Sequence, residues 1–124
     1  MQGALQSRAA APAFGFMESR GERRRQLDRR AALMVGKGKM LDVRTHDISM
    51  SGISVFTEEP VAPGTQCAVS ATFSFGKGKA DLYLAGRSVY CILVGQRGYR
   101  IGIQATQTSP STRATIRQLL EAQG

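Results

Sequence analysis

The stretch Met40-Leu41-Asp42-Val43-Arg44-Thr45-His46-Asp47-Ile48-Ser49-Met50-Ser51-Gly52-Ile53-Ser54-Val55-Phe56 sets two apolar runs, Met40 to Val43 and Ile53 to Phe56, on either side of a polar turn. Short apolar runs bounded by Ser and Gly read as two strands joined through Asp47 to Gly52. The turn is rich in hydrogen-bonding groups. Asp47 offers a carboxylate that can accept two parallel donors, Ser49 and Ser51 offer hydroxyls that can donate to an anion, and Gly52 lets another group come close to the backbone.

Working outward, residues 31–35 are apolar, Gly36-Lys37-Gly38-Lys39 reverses the chain, and Met40 resumes, which is a hairpin. On the other side, residues 58–65 hold two prolines and a glycine and form a loop. Residues 67–75 then alternate, with Cys67, Val69, Ala71, Phe73 and Phe75 on one side, as a half-buried antiparallel strand does. Gly76-Lys77-Gly78-Lys79 turns the chain into residues 80–94, within which Gly86 marks a bulge or bend. Neither Gly-Lys tetrad is a phosphate-binding P-loop, because the spacer before Gly-Lys and the Ser or Thr after it are missing. Residues 95–98 turn back into a last strand, Tyr99 to Ala105. Six strands at short spacing without a helix between them predict a small antiparallel barrel over about residues 31–106. The period then changes: Ser109-Pro110 is an N-cap with a first-turn proline, and Ile116, Leu119 and Leu120 fall on one stripe. A helix over about residues 110–122 is expected to cover an open end of the barrel.

The 124 residues carry 17 Lys and Arg against nine Asp and Glu, a formal charge of +8. In residues 1–30 seven basic residues face three acids, so +4 of the +8 lies in the first quarter and points to an anionic partner there. Residues 1–21 read as a flexible arm and residues 22–124 as one domain. The six arginines of residues 20–30 repel one another, with only Glu22 and Asp28 beside them. That segment is expected to hold no strand and to be mobile until a ligand neutralises it. Cys67 and Cys91 lack CxxC spacing and read as free buried thiols of a cytoplasmic protein. No apolar run approaches the roughly 18 residues of a membrane span.

Arg25-Gln26-Leu27-Asp28-Arg29 has the form RxxxR and Asp47-Ile48-Ser49-Met50-Ser51-Gly52 the form (D/N)xSxxG, with seventeen residues and one hairpin between them. A ligand that joins guanine to phosphate would use both, a carboxylate for the base edge and guanidinium forks for the phosphates. In this order the pair resembles the PilZ domain, a bacterial receptor module for cyclic di-GMP. Tyr99-Arg100-Ile101-Gly102-Ile103 is similar to that family's closing strand, and Pro63-Gly64 precedes the fourth strand as it does there. The resemblance covers about residues 22–120. It implies an all-β fold with one C-terminal helix, a six-stranded PilZ-type barrel, and cyclic di-GMP against the outer barrel surface under the N-terminal arm. Arg25 and Arg29 would contact phosphates and stack on guanine, Asp47 would accept from guanine N1 and N2, Ser49 would bond a phosphate or backbone group, and Gly52 would leave room for the base. Arg24, immediately before RxxxR, implies two stacked ligands per chain. Gln104-Ala105 departs from the family, which often carries an aromatic or acidic residue there.

The same resemblance implies an adaptor rather than an enzyme, whose arm rearranges on binding and whose signal passes to a separate effector protein. His46, Asp47 and Ser49 alternate across a strand and cannot line up base with nucleophile. His46 is the only histidine and reads as a polar strand residue beside Asp47, so no metal and no cofactor beyond the ligand is expected. Two alternatives are a basic barrel for single-stranded nucleic acid and a degenerate module that binds only protein. The first would need exposed aromatics for base stacking, and the chain is 6% aromatic with no tryptophan. The complete motif pair argues against the second.

Overall fold

The computed structural model describes residues 22–122 apart from Lys77; the arm assigned to residues 1–21 lies outside the described residues. Seven strands and a helix follow in order: β1 (Arg24–Gln26), β2 (Arg30–Val35), β3 (Lys39–Ser49), β4 (Gly52–Thr57), β5 (Gln66–Phe75), β6 (Gly78–Leu93), β7 (Tyr99–Gln107) and α1 (Pro110–Glu121). The β2–β3 hairpin pairs Val35 with Lys39 and Arg30 with Arg44. Gly36 and Gly38 supply its turn at φ of 61° and 116°, where a side chain would be strained. Between β5 and β6 the pairing runs on to Phe75 and Gly78, so Gly78 and Lys79 belong to strand rather than turn.

Six strands pair antiparallel in the order β3, β2, β5, β6, β7, β4, and β4 pairs back onto β3, closing the ring as expected. Alternate residues fill its interior: Leu33, Ile53, Val55, Val69, Leu82, Leu84, Ile101 and Ile103 are all buried. Helix α1 starts where Ser109 Oγ accepts from Thr112 N at 3.1 Å, with Pro110 in its first turn. It lays Ile116, Leu119 and Leu120 against the barrel, next to β6, β3 and β1. Each such side chain stabilises the domain by about 1.5–3 kcal/mol through area removed from water.

The seventh strand corrects the sequence reading. Residues 24–26 are built into the sheet, with Arg24, Arg25 and Gln26 paired to Ser49, Ile48 and Asp47 of β3. β2 leaves that part of the β3 edge open, and β1 takes it. Leu27 then turns into the core, and Thr45 clamps the following residues: Thr45 Oγ1 donates to Leu27 O at 2.6 Å and accepts from Arg29 N at 3.0 Å. Backbone pairing and one buried leucine thus outweigh repulsion among exposed arginines, which water screens.

Three register shifts shape the ring. All lie between paired strands: one between Thr45 and Asp47 on β3, one between Ser88 and Tyr90 on β6, and one opposite Ala85 and Gly86, where β7 carries the extra residue. At Gly86 the extra residue is Thr106 of β7, and Gly86 marks a close approach of the two strands, because a Cβ there would lie 2.1 Å from the Gln104 carbonyl oxygen. Both cysteines are free; Cys67 is buried, which pushes its thiol pKa up, and Cys91 is half-buried.

Candidate functional site

The end of β3 and the start of β4 make the polar turn. Ser49 pairs with Gly52, and between them Ser51 N donates to Ser49 Oγ at 3.3 Å while the two serine hydroxyls lie 3.3 Å apart. Ser51 Oγ also donates to Glu22 Oε1 at 2.8 Å, which ties the segment before β1 to this turn. Asp47 Oδ1 accepts from Ser54 Oγ at 2.7 Å. Ser54 is wholly buried, so this bond fixes the carboxylate from behind while Asp47 itself stays partly exposed.

β1 brings the basic residues to this turn, and its alternation divides them. Arg24 and Gln26, opposite Ser49 and Asp47, share the outer face with those residues. Arg25 lies opposite the buried Ile48 and points the other way, where its Nη1 donates to Leu119 O at 2.7 Å. Arg23 does the same to Leu120 O at 2.8 Å. These are carbonyls of the last turn of α1, which have no partner within the helix, so the two guanidiniums cap its C-terminus. Arg29 is exposed, its Nη1 on the Asp28 carbonyl at 3.1 Å, and Arg44 Nε pairs with Asp28 Oδ1 at 2.6 Å. Arg24, Asp47, Ser49 and Gly52 are therefore brought together, Arg29 sits at the margin, and Arg25 is turned away. His46, at the bulge, meets Phe56 edge-on with ring centroids 5.0 Å apart.

Sequence reasoning missed a second group of polar residues beside Asp47. Along the outer face Asp47 pairs with Ser54, Ser54 with Gly102, and Gly102 with Tyr90. Arg100, two residues before Gly102, places its guanidinium carbon 5.8 Å from the Tyr90 ring centre. Burial pushes the Tyr90 phenol pKa up; the Arg100 guanidinium and the nearby Ser54 hydroxyl oppose this, and the Asp47 carboxylate adds to it. Ser54 could have been found by counting two residues on from Gly52, but Tyr90 is visible only once the ring is closed. A neighbouring groove of about 600 Å³, lined by Arg30, Asp42, Arg44, Phe56 and Glu58 among others, carries both signs of charge and suits an anion less well.

Among the described residues no three His, Cys, Asp or Glu side chains gather as a metal site, and no helix is long and apolar enough to cross a membrane. Comparison with curated proteins gives no match. Among solved structures the fold is similar to the PilZ domain with c-di-GMP of YcgR from Escherichia coli, with a TM-score of 0.56 and 14% identity, over 83% of this chain and 89% of that one. The family model described as PilZ domain matches residues 18–122, which takes in β1 with its arginines, the closed ring with its polar turn, and α1. With both motifs held on one sheet and the match running through all of it, the chain belongs to the PilZ domain family.

Proposed function

We propose that this protein is a receptor for cyclic di-GMP that acts in the cytoplasm as an adaptor for a separate effector protein. The observation that carries the reading is the register of β1, β3 and β4. Arg24, Ser49 and Gly52 stand in one row and Gln26, Asp47 and Ser54 in the next, so a guanidinium, two hydroxyls and a carboxylate share a face. Guanine places N1–H and its N2 amine on Asp47, the two donors that a carboxylate accepts in parallel. Ser49 and Arg29 take phosphate oxygens, Gly52 leaves room for the base, and Arg24 serves a second, stacked ligand, giving two cyclic di-GMP per chain. That the similar Escherichia coli domain is described with c-di-GMP supports the ligand class.

Arg25 supplies the switch. In the free protein it holds the Leu119 carbonyl, and a phosphate competes for the same guanidinium. A charged acceptor makes a hydrogen bond roughly twice as strong as a neutral carbonyl does, so ligand draws Arg25 away and uncaps α1. The segment before β2 and the last turn of α1 rearrange together, and the effector reads that change.

Calorimetry with cyclic di-GMP, run beside GTP and a short single-stranded DNA, tests the reading. The expected result is saturation at two cyclic di-GMP per chain with no comparable heat from the other two. Saturable DNA binding without a cyclic di-GMP isotherm would overturn it.

A further inference from the structure

The row Asp47, Ser54, Gly102 and Tyr90 crosses four strands on the outer face. Gly102 has no side chain, and the Tyr90 ring occupies that space: a Cβ on Gly102 would lie 2.1 Å from a ring carbon. The ring therefore lies along the row with its hydroxyl beside Ser54, Asp47 and Arg100, the groups that bear on its ionisation. Tyr90 is only 8% exposed, and its hydroxyl has no hydrogen-bond partner among the described residues. Arg100 Nε is likewise buried and unpartnered. A buried hydroxyl without a partner destabilises the protein that carries it, so its persistence next to a ligand carboxylate points to a partner that arrives from outside.

Guanine has such a partner. Its Watson–Crick edge offers two donors, N1–H and the N2 amine, and then one acceptor, O6. Once Asp47 has taken the donors, O6 needs a donor next to the carboxylate. We propose that the Tyr90 hydroxyl donates to O6 of the guanine held by Asp47, and that Arg100 is a positioning residue which covers the ring in the free protein and gives way as the base docks. This rests on the cyclic di-GMP reading above. It makes guanine recognition depend on all three groups of the base edge, two read by Asp47 and one by Tyr90. Burial favours the protonated phenol, so the hydroxyl is a donor at neutral pH.

Tyr90→Phe removes one oxygen and keeps the ring on Gly102. Calorimetry compares cyclic di-GMP with its analogue in which both O6 atoms are sulfur, a weaker acceptor that leaves N1–H and the N2 amine in place. The unmodified protein should bind the analogue about tenfold more weakly. Tyr90→Phe should bind cyclic di-GMP about tenfold more weakly and no longer distinguish the two, while melting no lower than the unmodified protein. Arg100→Ala should keep the discrimination. If Tyr90→Phe still prefers oxygen over sulfur, or if Arg100→Ala alone loses that preference, the Tyr90 assignment is wrong although the receptor reading stands. An unmodified protein that binds neither ligand removes both.

Discussion

Asp47→Ala should damage stability and binding through different partners, and the structure lets the two be separated. Ser54 Oγ donates to Asp47 Oδ1 at 2.7 Å and is fully buried. Removing the carboxylate leaves that hydroxyl without its acceptor, at a cost of about 1–3 kcal/mol in folding stability. Ser54→Ala alone should cost less, about 1 kcal/mol, because the partly exposed carboxylate can turn to water. In the double variant both groups are gone, so its loss should fall short of the sum of the single losses by about 1 kcal/mol. Binding should behave otherwise. A bidentate charged pair with guanine is worth about 1.5–3 kcal/mol, which is roughly a 10- to 150-fold loss of affinity at 1.4 kcal/mol per decade. The double variant recovers none of it. Urea denaturation gives the stabilities and calorimetry with cyclic di-GMP the affinities. Affinity that survives Asp47→Ala would refute the base-edge assignment, and strictly additive stability losses would refute the role of the Ser54 bond.

Other expectations follow from the same geometry. Arg24→Leu should lower the titration ratio from two cyclic di-GMP per chain toward one while the first ligand still binds, and a ratio of one for the unmodified protein would remove the role given to Arg24. Leu27→Ala, at a core position 5% exposed, should cost about 2–5 kcal/mol in urea denaturation; a chain begun at residue 31 should likewise be poorly folded, and a fully stable one would show that β1 is dispensable. Arg25→Ala should speed amide exchange over residues 119–122 in the free protein, and ligand should do the same to the unmodified protein; unchanged exchange on saturation would exclude α1 as part of the switch. Tyr90 titrates above its ordinary 10.0 because of burial, so the unfolded chain releases that proton first, and a stability contribution complete below pH 10.0 is lost as pH rises past it. Tyr90→Phe should make the alkaline fall in melting temperature shallower.

The ring itself was legible because its strands announce themselves locally. Cys67, Val69, Ala71 and Phe73 alternate and are all buried, and Ser109-Pro110 starts α1 where the period changes. β1 was not legible, since Arg24-Arg25-Gln26 has neither alternation nor β-branched residues. It is a strand only because β3 outruns β2 and leaves an edge to fill, and that is a property of another element. The site was legible as chemistry but not as geometry. Motif spacing joined Arg25 with Asp47, yet the odd-numbered face of β1 turns Arg25 toward α1, while Arg24 shares Asp47's face.

The bulges explain why parity misleads at this site. On β3, Val43 and Thr45 face inward, and simple alternation would send Asp47 in after them, an ionised carboxylate among valines and isoleucines. The extra residue at His46 resets the phase, so that Ile48 goes in and Asp47 comes out. On β6 the shift between Ser88 and Tyr90 does the same for Tyr90, which would otherwise follow Leu82 and Leu84 into the interior. Each bulge alone would only expose one polar group. Together, across the short β4 and the bare Gly102, they put a carboxylate and a phenol 43 residues apart in sequence onto one row of four rigid strands. The arginines of β1 and the residue before it are held differently, by three residues of pairing and two bonds to a helix end. On the proposed receptor reading, the base edge would meet side chains fixed on paired strands and phosphate would meet the arginines, so one ligand would bear on both at once.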